Sequence, residues 1–226
     1  MTTVTTRRID QDIQHDLLEE LKWEARVQPN EIAVSVREGV VTLAGWVDNY
    51  AKKWAAERAA HRVRGVRAVA NDIEVRLPSS AQRTDADIAT AVTRALEWDA
   101  FVPVETLDVT VSNGWVVLHG EVDWEYQKRA AERTVRRLAG VVGVSNGITV
   151  RPRPDASVPE HLRRHIEAAL RRNAETDAEK IRIEVYGDQV VLHGTVRSWL
   201  ERDEAERVCW SAPGVVAVDN RITVQH

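Results

Sequence analysis

A motif recurs three times in this chain at a nearly constant interval, and that interval sets the size of what each copy can fold into. The first copy reads Gly45-Trp46-Val47, Ala56-Glu57-Arg58, Gly65-Val66, then Val69, Asn71, Ile73 and Val75. Seventy-five residues on come Gly120-Glu121-Val122, Ala131-Glu132-Arg133, Gly140-Val141, Val144, Asn146, Ile148 and Val150. Seventy-four further on stand Gly194-Thr195-Val196, Ala205-Glu206-Arg207, Gly214-Val215, Val218, Asn220, Ile222 and Val224. A period near 75 is too long for a solenoid unit, so each copy reads as a small domain with its own core. The domains are expected at 7–77, 83–151 and 158–226. Units this small bury only ~60% of the surface that their unfolded chains expose, so contacts between domains are expected to matter for stability.

Each copy opens on an apolar stripe at helical spacing: Ile13, Leu17 and Leu21; Ile88, Val92 and Leu96; Leu162, Ile166 and Leu170. Acids or a proline precede each stripe (Asp10 and Asp12, Asp85 and Asp87, Pro159 and Glu160), as suits a helix start. Strict alternation follows, as in Ile32, Val34, Val36, the turn Glu38-Gly39, then Val41 and Leu43. That pattern predicts a hairpin, with Asn113-Gly114 and Gly187-Asp188 as the other two turns. The third pair moves its glycine one place earlier, which predicts a different turn type. A second helix carries Ala51, Ala56, Ala59, Ala60 and Val63 toward the core. Its equivalents are Tyr126, Ala131, Thr134, Val135 and Leu138, then Leu200, Ala205, Val208, Cys209 and Ala212, which makes Cys209 a buried thiol. Gly65, Gly140 and Gly214 are expected as C-caps before a closing strand. The fold class is α+β: three tandem α-β-β-α-β units, each a three-stranded sheet covered on one face by two helices. The linker 77–82 and the proline-rich 151–159 separate the units, and the second is expected to be the stiffer.

Composition excludes several function classes. Basic and acidic residues nearly balance in each third of the chain, and the formal net charge is -4, so no unit has the basic excess of a nucleic-acid binder. One cysteine permits neither an intrachain disulfide nor a thiolate zinc cluster. No nucleophile signature, phosphate loop or dinucleotide fingerprint is present. Gly140-Val141-Val142-Gly143 matches the RNA-clamping Gly-x-x-Gly loop only in outline, since it occurs once and joins a helix to a strand. His161 and His165 lie at i, i+4 and are a weak metal candidate without a third ligand; no metal or cofactor is expected. The N-terminus lacks an apolar leader and no apolar run reaches about 18 residues, so a cytoplasmic location is expected of the sequence as it stands, or a periplasmic one if a leader has been removed.

The element order, the alternating hairpin, the Gly-x-Val, the charged second helix and the closing Gly-Val…Val-x-Asn-x-Ile-x-Val together resemble the BON domain, named for bacterial osmotically inducible and nodulation proteins. The resemblance covers nearly the whole chain, three times. It implies a mixed three-stranded sheet, no catalytic residues, a role in osmotic stress tolerance and the cell envelope, and binding of phospholipid or of other proteins.

The strongest candidate site is the second helix of the middle copy, where Trp124 and Tyr126 precede Lys128, Arg129, Arg133, Arg136 and Arg137. Tryptophan and tyrosine favour a membrane interface, and cations favour anionic lipid. The corresponding segment of the first copy offers Trp46, Tyr50, Lys52, Lys53 and Trp54, with Arg58 and Arg62 further on. The third offers Trp199 among Glu201, Asp203 and Glu204 and is unsuited to anionic lipid. Three readings compete for these residues: packing of the tryptophans between domains, docking on anionic phospholipid, and a protein partner. A fourth, an ion or small-molecule sensor, would use the clefts between domains.

Overall fold

The computed structural model describes residues 9–28, 31–151, 162–172, 180–212 and 214–225. In the first unit α1 (Asp10–Trp23) leads into β1 (Ile32–Arg37) and β2 (Val40–Val47), an antiparallel hairpin. Helix α2 (Tyr50–Arg62) then crosses to β3 (Ala68–Val75), which lies parallel to β2. The second unit repeats this with α3 (Asp85–Trp98), β4 (Leu107–Ser112), β5 (Trp115–Val122), α4 (Glu125–Val135) and β6 (Gly143–Val150). The third does so with α5 (Leu162–Arg172), β7 (Ile181–Tyr186), β8 (Gln189–Val196), α6 (Trp199–Trp210) and β9 (Ala217–Val224). The result is three mixed three-stranded sheets, each with the hairpin's second strand at its centre.

Periodicity explains which faces close on one another. The stripe Ile13, Leu17 and Leu21 of α1 is buried against Val41 and Leu43 of β2, Ile73 of β3, and Ala55, Ala56, Ala59 and Ala60 of α2. The alanines let α2 lie close over the strands. The other two cores repeat the set with Leu118, Ile148 and Ala131, and with Leu192, Ile222 and Ala205. Cys209 is fully buried, and burial pushes its thiol up to about 12, far from a reactive thiolate.

The repeated Gly-x-Val has a steric cause. Gly45, Gly120 and Gly194 pair with the first residue of the neighbouring strand, with φ of 138°, 124° and 142°. A Cβ there would overlap the carbonyl oxygen of Glu31, Thr106 or Lys180. The repeated asparagine ties the closing strand to the second helix. In the first unit Asn71 donates from Nδ2 to Glu57 at 2.8 Å and accepts the Ile73 amide at 3.4 Å. Asn146 serves Glu132 and Ile148 in the same way, and Asn220 serves Glu206 and Ile222.

Two expectations need correction. Gly65, Gly140 and Gly214 lie beyond the helix ends, where Val63, Arg136 and Ser211 are the C-caps; the glycines turn the chain into the closing strand. Tyr126 does not face the core but is 54% exposed, because the buried stripe of α4 begins one turn later at Ala130. The glutamates of Ala-Glu-Arg are each held by the asparagine of the closing strand. The shifted third turn does differ: Glu38 and Asn113 take positive φ together with the glycine that follows, whereas Gly187 does so without Asp188. Beyond Arg151, the linker expected to be stiff lies outside the described residues, as do Pro159, Glu160 and His161.

A clamp not visible in the spacing holds the hairpin turn to the start of the first helix. The Asp85 carboxylate accepts the amides of Asn113 and Gly114, both at 2.8 Å, and Asp10 does the same for Glu38 at 2.7 Å and Gly39 at 2.9 Å. Replacing Asp85 by Ala leaves two amides without their ionised acceptor and should destabilise the second domain by about 1–3 kcal/mol. Asp85→Asn, which keeps one neutral acceptor, should cost less. Urea titration of both variants checks the order; equal stability of all three proteins would remove the clamp from the account.

Candidate binding cleft between the second and third domains

The second helices of the three domains converge. Residues of α2, α4 and α6, among them Glu57, Glu132 and Glu206, line one shared cavity of about 490 Å³. The Ala-Glu-Arg motif therefore distributes three tasks. Its alanine is fully buried in the domain's own core, its glutamate binds the strand asparagine, and its arginine looks toward a neighbouring domain.

Two of the three seams are filled by aromatic residues from the first turn of a second helix. Tyr50 of α2 packs on the core of the second domain, beside the backbone of Val144. Burial pushes its phenol pKa up. One turn on, Trp54 lies under the Arg136 guanidinium, 3.5 Å from the ring centroid, with Arg58 at 5.6 Å. Arg136 is only 14% exposed, and a desolvated cation over a tryptophan face is worth roughly 2 kcal/mol. Trp199 of α6 packs on the cores of both the first and the third domains. Its indole N–H donates to the Val66 carbonyl at 3.0 Å, its ring lies 6.2 Å from that of His61, and nearby Arg58 pairs with Asp203 at 3.2 Å.

The third seam, between the second and third domains, is an open cleft of about 710 Å³. Its aromatic walls are Phe101, Trp124 and Tyr126 from the second domain and Trp210 from the third. Phe101 meets Tyr126 edge to face at 6.1 Å. Arg129, Arg133 and Arg207 bring three guanidinium groups to the same space, with Glu125 beside them. Arg129 pairs with Glu125 at 3.0 Å, and Arg207 pairs with Glu204. Arg133 is exposed and makes no ion pair among the described residues. An open apolar cleft with positive charge suits an anion that carries an apolar body.

The residues singled out by sequence do not form one surface. Trp124, Arg129 and Arg133 line the cleft. Arg136 is spent on Trp54, and both belong to the seam between the first two domains. Lys52 pairs within its own domain with Asp48 at 2.9 Å. Lys53 and Lys128 are half-buried; their counterpart in the third domain, Arg202, donates to the Asn220 and Ile222 carbonyls. Arg137 is exposed in the turn after α4. Trp46 lies on the sheet face opposite α2, because it alternates with buried Val47. His165 is exposed, and among the described residues no group of three His, Cys, Asp or Glu could hold a metal. Phe101 and Trp210 were missed, as were Trp23 and Trp98, which end their helices 85% and 89% exposed. Trp23, Trp98 and Trp210 are large aromatics at the ends of their helices, off the buried stripe, whereas Phe101 lies in the turn after α3.

Fold and site together define a tandem α-β-β-α-β protein whose surface features gather between its domains. The chain belongs to the BON domain family, whose model matches residues 9–76, 84–152 and 160–226. Osmotically-inducible protein Y of Escherichia coli (strain K12) is 31% identical over 126 residues, spanning 54% of this chain and 63% of that relative's length. Solved structures of CdsD, a structural protein of the type III secretion system of Chlamydia trachomatis, align over 94% of this chain and 92% of theirs at 14% identity, with a TM-score of 0.25. The CdsD C-terminal domain aligns over 96% of this chain and 99% of its own at 12% identity, with a TM-score of 0.26.

The seam between the first and third domains carries a pH dependence. Burial lowers the pKa of His61 below its usual 6.5, Arg58 adds to the effect, and Glu57 and Asp203 oppose it. The folded protein thus favours neutral His61, while the unfolded chain takes up a proton at its ordinary pKa. Stability from this group is complete above about pH 6.5 and falls as the pH drops below that toward the lower folded value. The melting temperature should decline between about pH 7.5 and 5.5, and His61→Leu should flatten that part of the profile. An identical decline in the variant would assign it to other groups.

Proposed function

We propose that this chain is a non-enzymatic binding protein of the osmotic stress response that docks on anionic phospholipid through α4 and the mouth of the adjoining cleft. The observation that carries the reading is the meeting of Trp124, Tyr126 and Phe101 with Arg129 and Arg133 on one open, concave surface. Aromatic rings with an apolar body and a polar edge suit the headgroup level of a bilayer, and each nearby cation adds about 1 kcal/mol on an anionic one. The osmotic role is carried over from the name of the Escherichia coli relative, and the lipid and envelope role from what the BON resemblance implies. Among the described residues no helix is long and apolar enough to cross a membrane, so a peripheral contact fits the chain better than a span through its helices.

Co-sedimentation with vesicles containing phosphatidylglycerol or cardiolipin tests the reading at about 50 and about 300 mM salt, where screening differs strongly. Binding should be present at low salt and weaken at high salt. Arg129→Glu with Arg133→Glu should weaken it by about 30-fold or more, from about 1 kcal/mol per lost cation. Undiminished binding by a folded double variant would move the contact elsewhere, with the exposed Arg163, Arg164, Arg171 and Arg172 of α5 as the next face to reverse. No binding to either vesicle at low salt would sink the lipid reading.

A further inference from the structure

The three seams are copies of one joint, related by the same offsets as the sequence repeat. The position that inserts an aromatic ring is Tyr50 in the first domain and Trp199 in the third. In the second domain it is Glu125. The position that receives the ring, near the end of the second helix, is Arg136 opposite Tyr50 and His61 opposite Trp199. In the third domain it is Trp210, which stands in the cleft with Glu125. The chain thus shows twice what fits this joint, a planar ring with a polar edge: Tyr50 in one seam, and in the other Trp199, which donates to the Val66 carbonyl.

Charge distinguishes the third joint from the other two. One turn after the inserting position, Asp203 answers Arg58 across the first seam, and Trp54 answers Arg136 across the second. At the corresponding place in the open seam stands Arg129, with Arg207 and Arg133 lining the same cleft. Three guanidinium groups gather where the other joints supply a carboxylate or an aromatic face. Two of them are matched by Glu125 and Glu204 on their own helices; Arg133 makes no ion pair among the described residues, and Asp203, Glu204 and Glu206 of the third domain line the neighbouring cavity that it also borders. The cleft's 710 Å³ lies within the range of small-molecule sites.

We infer that the seam between the second and third domains is a binding site for a small aromatic carboxylate, whose ring stacks against Trp210 as Tyr50 and Trp199 fill the other seams and whose carboxylate meets Arg133. The site shares its cleft and Arg133 with the proposed lipid contact, but its ligand is soluble and binds in the absence of vesicles, so either can fail alone. A planar ring gains edge and face contacts that an alicyclic body lacks, and a charge-assisted pair with Arg133 rewards the carboxylate over the neutral ring.

Isothermal titration of the full chain with indole-3-carboxylate tests this, with neutral indole and cyclohexanecarboxylate as controls. The aromatic carboxylate should bind about tenfold or more tightly than either control. Glu125→Trp supplies the missing ring from within. It should abolish binding of the aromatic carboxylate in vesicle-free solution and raise the melting temperature, two readouts that do not depend on the lipid reading. Arg133→Gln, with its fold checked by near-ultraviolet circular dichroism, should weaken binding of the carboxylate about tenfold and leave indole unchanged. No heat with indole-3-carboxylate, or unaltered binding by Glu125→Trp, overturns the inference. Equal affinity for indole and its carboxylate overturns the anionic half of it.

Discussion

Aromatic insertion between domains is the interaction on which the rest of the arrangement depends. Units of this size bury a smaller share of their surface than larger domains do and are correspondingly marginal, so contacts between them add to their stability. Trp199 belongs to two cores at once, and Tyr50 adds a ring of the first domain to the core of the second. The first domain is therefore held on both sides. The Arg136–Trp54 stack and the Arg58–Asp203 pair lie beside these rings, partly shielded from water, where they are worth more than the exposed ion pairs elsewhere on the chain. With the first domain fixed to both neighbours, the second and third are brought face to face without an inserted ring of their own, and the open cleft is the consequence.

Within a domain the second helix is the organising element. Its buried alanines set how close it lies to the sheet, and the glutamate–asparagine link fixes its position along the closing strand. Its remaining face is then free to differ from copy to copy, as it does: Tyr50, Glu125 and Trp199 at one position, Trp54, Arg129 and Asp203 one turn later. The same backbone thus presents a joint in two copies and a charged cleft wall in the third. Repetition supplies the scaffold, and divergence at a few exposed positions decides what each seam does.

Much of the site was legible in part. Trp124, Arg129 and Arg133 were found because aromatics and cations cluster on one amphipathic helix, and they do line the cleft. Arg136 belongs to the same run of sequence but to a different surface, since one further step around the helix turns it toward Trp54. Trp46 was grouped with α2 by proximity along the chain, and strand alternation places it on the other side of the sheet. Trp210 and Phe101 carried no cluster of their own, and only the meeting of two domains gives them a shared role.

Local sequence suffices for the three-fold repeat, the order of elements, the hairpins and most of the core. These follow from local periodicity and from glycines whose backbone geometry admits no side chain, and such signals lie within a few residues of one another. The Asp10 and Asp85 clamps, the inward role of the Ala-Glu-Arg glutamates and the inequality of the three seams were decided only by the tertiary structure. Each joins residues that are distant along the chain, up to the 145 positions between Arg58 and Asp203. Spacing along a helix fixes the direction of a side chain relative to its own core. What it meets on the far side is set by how whole domains pack.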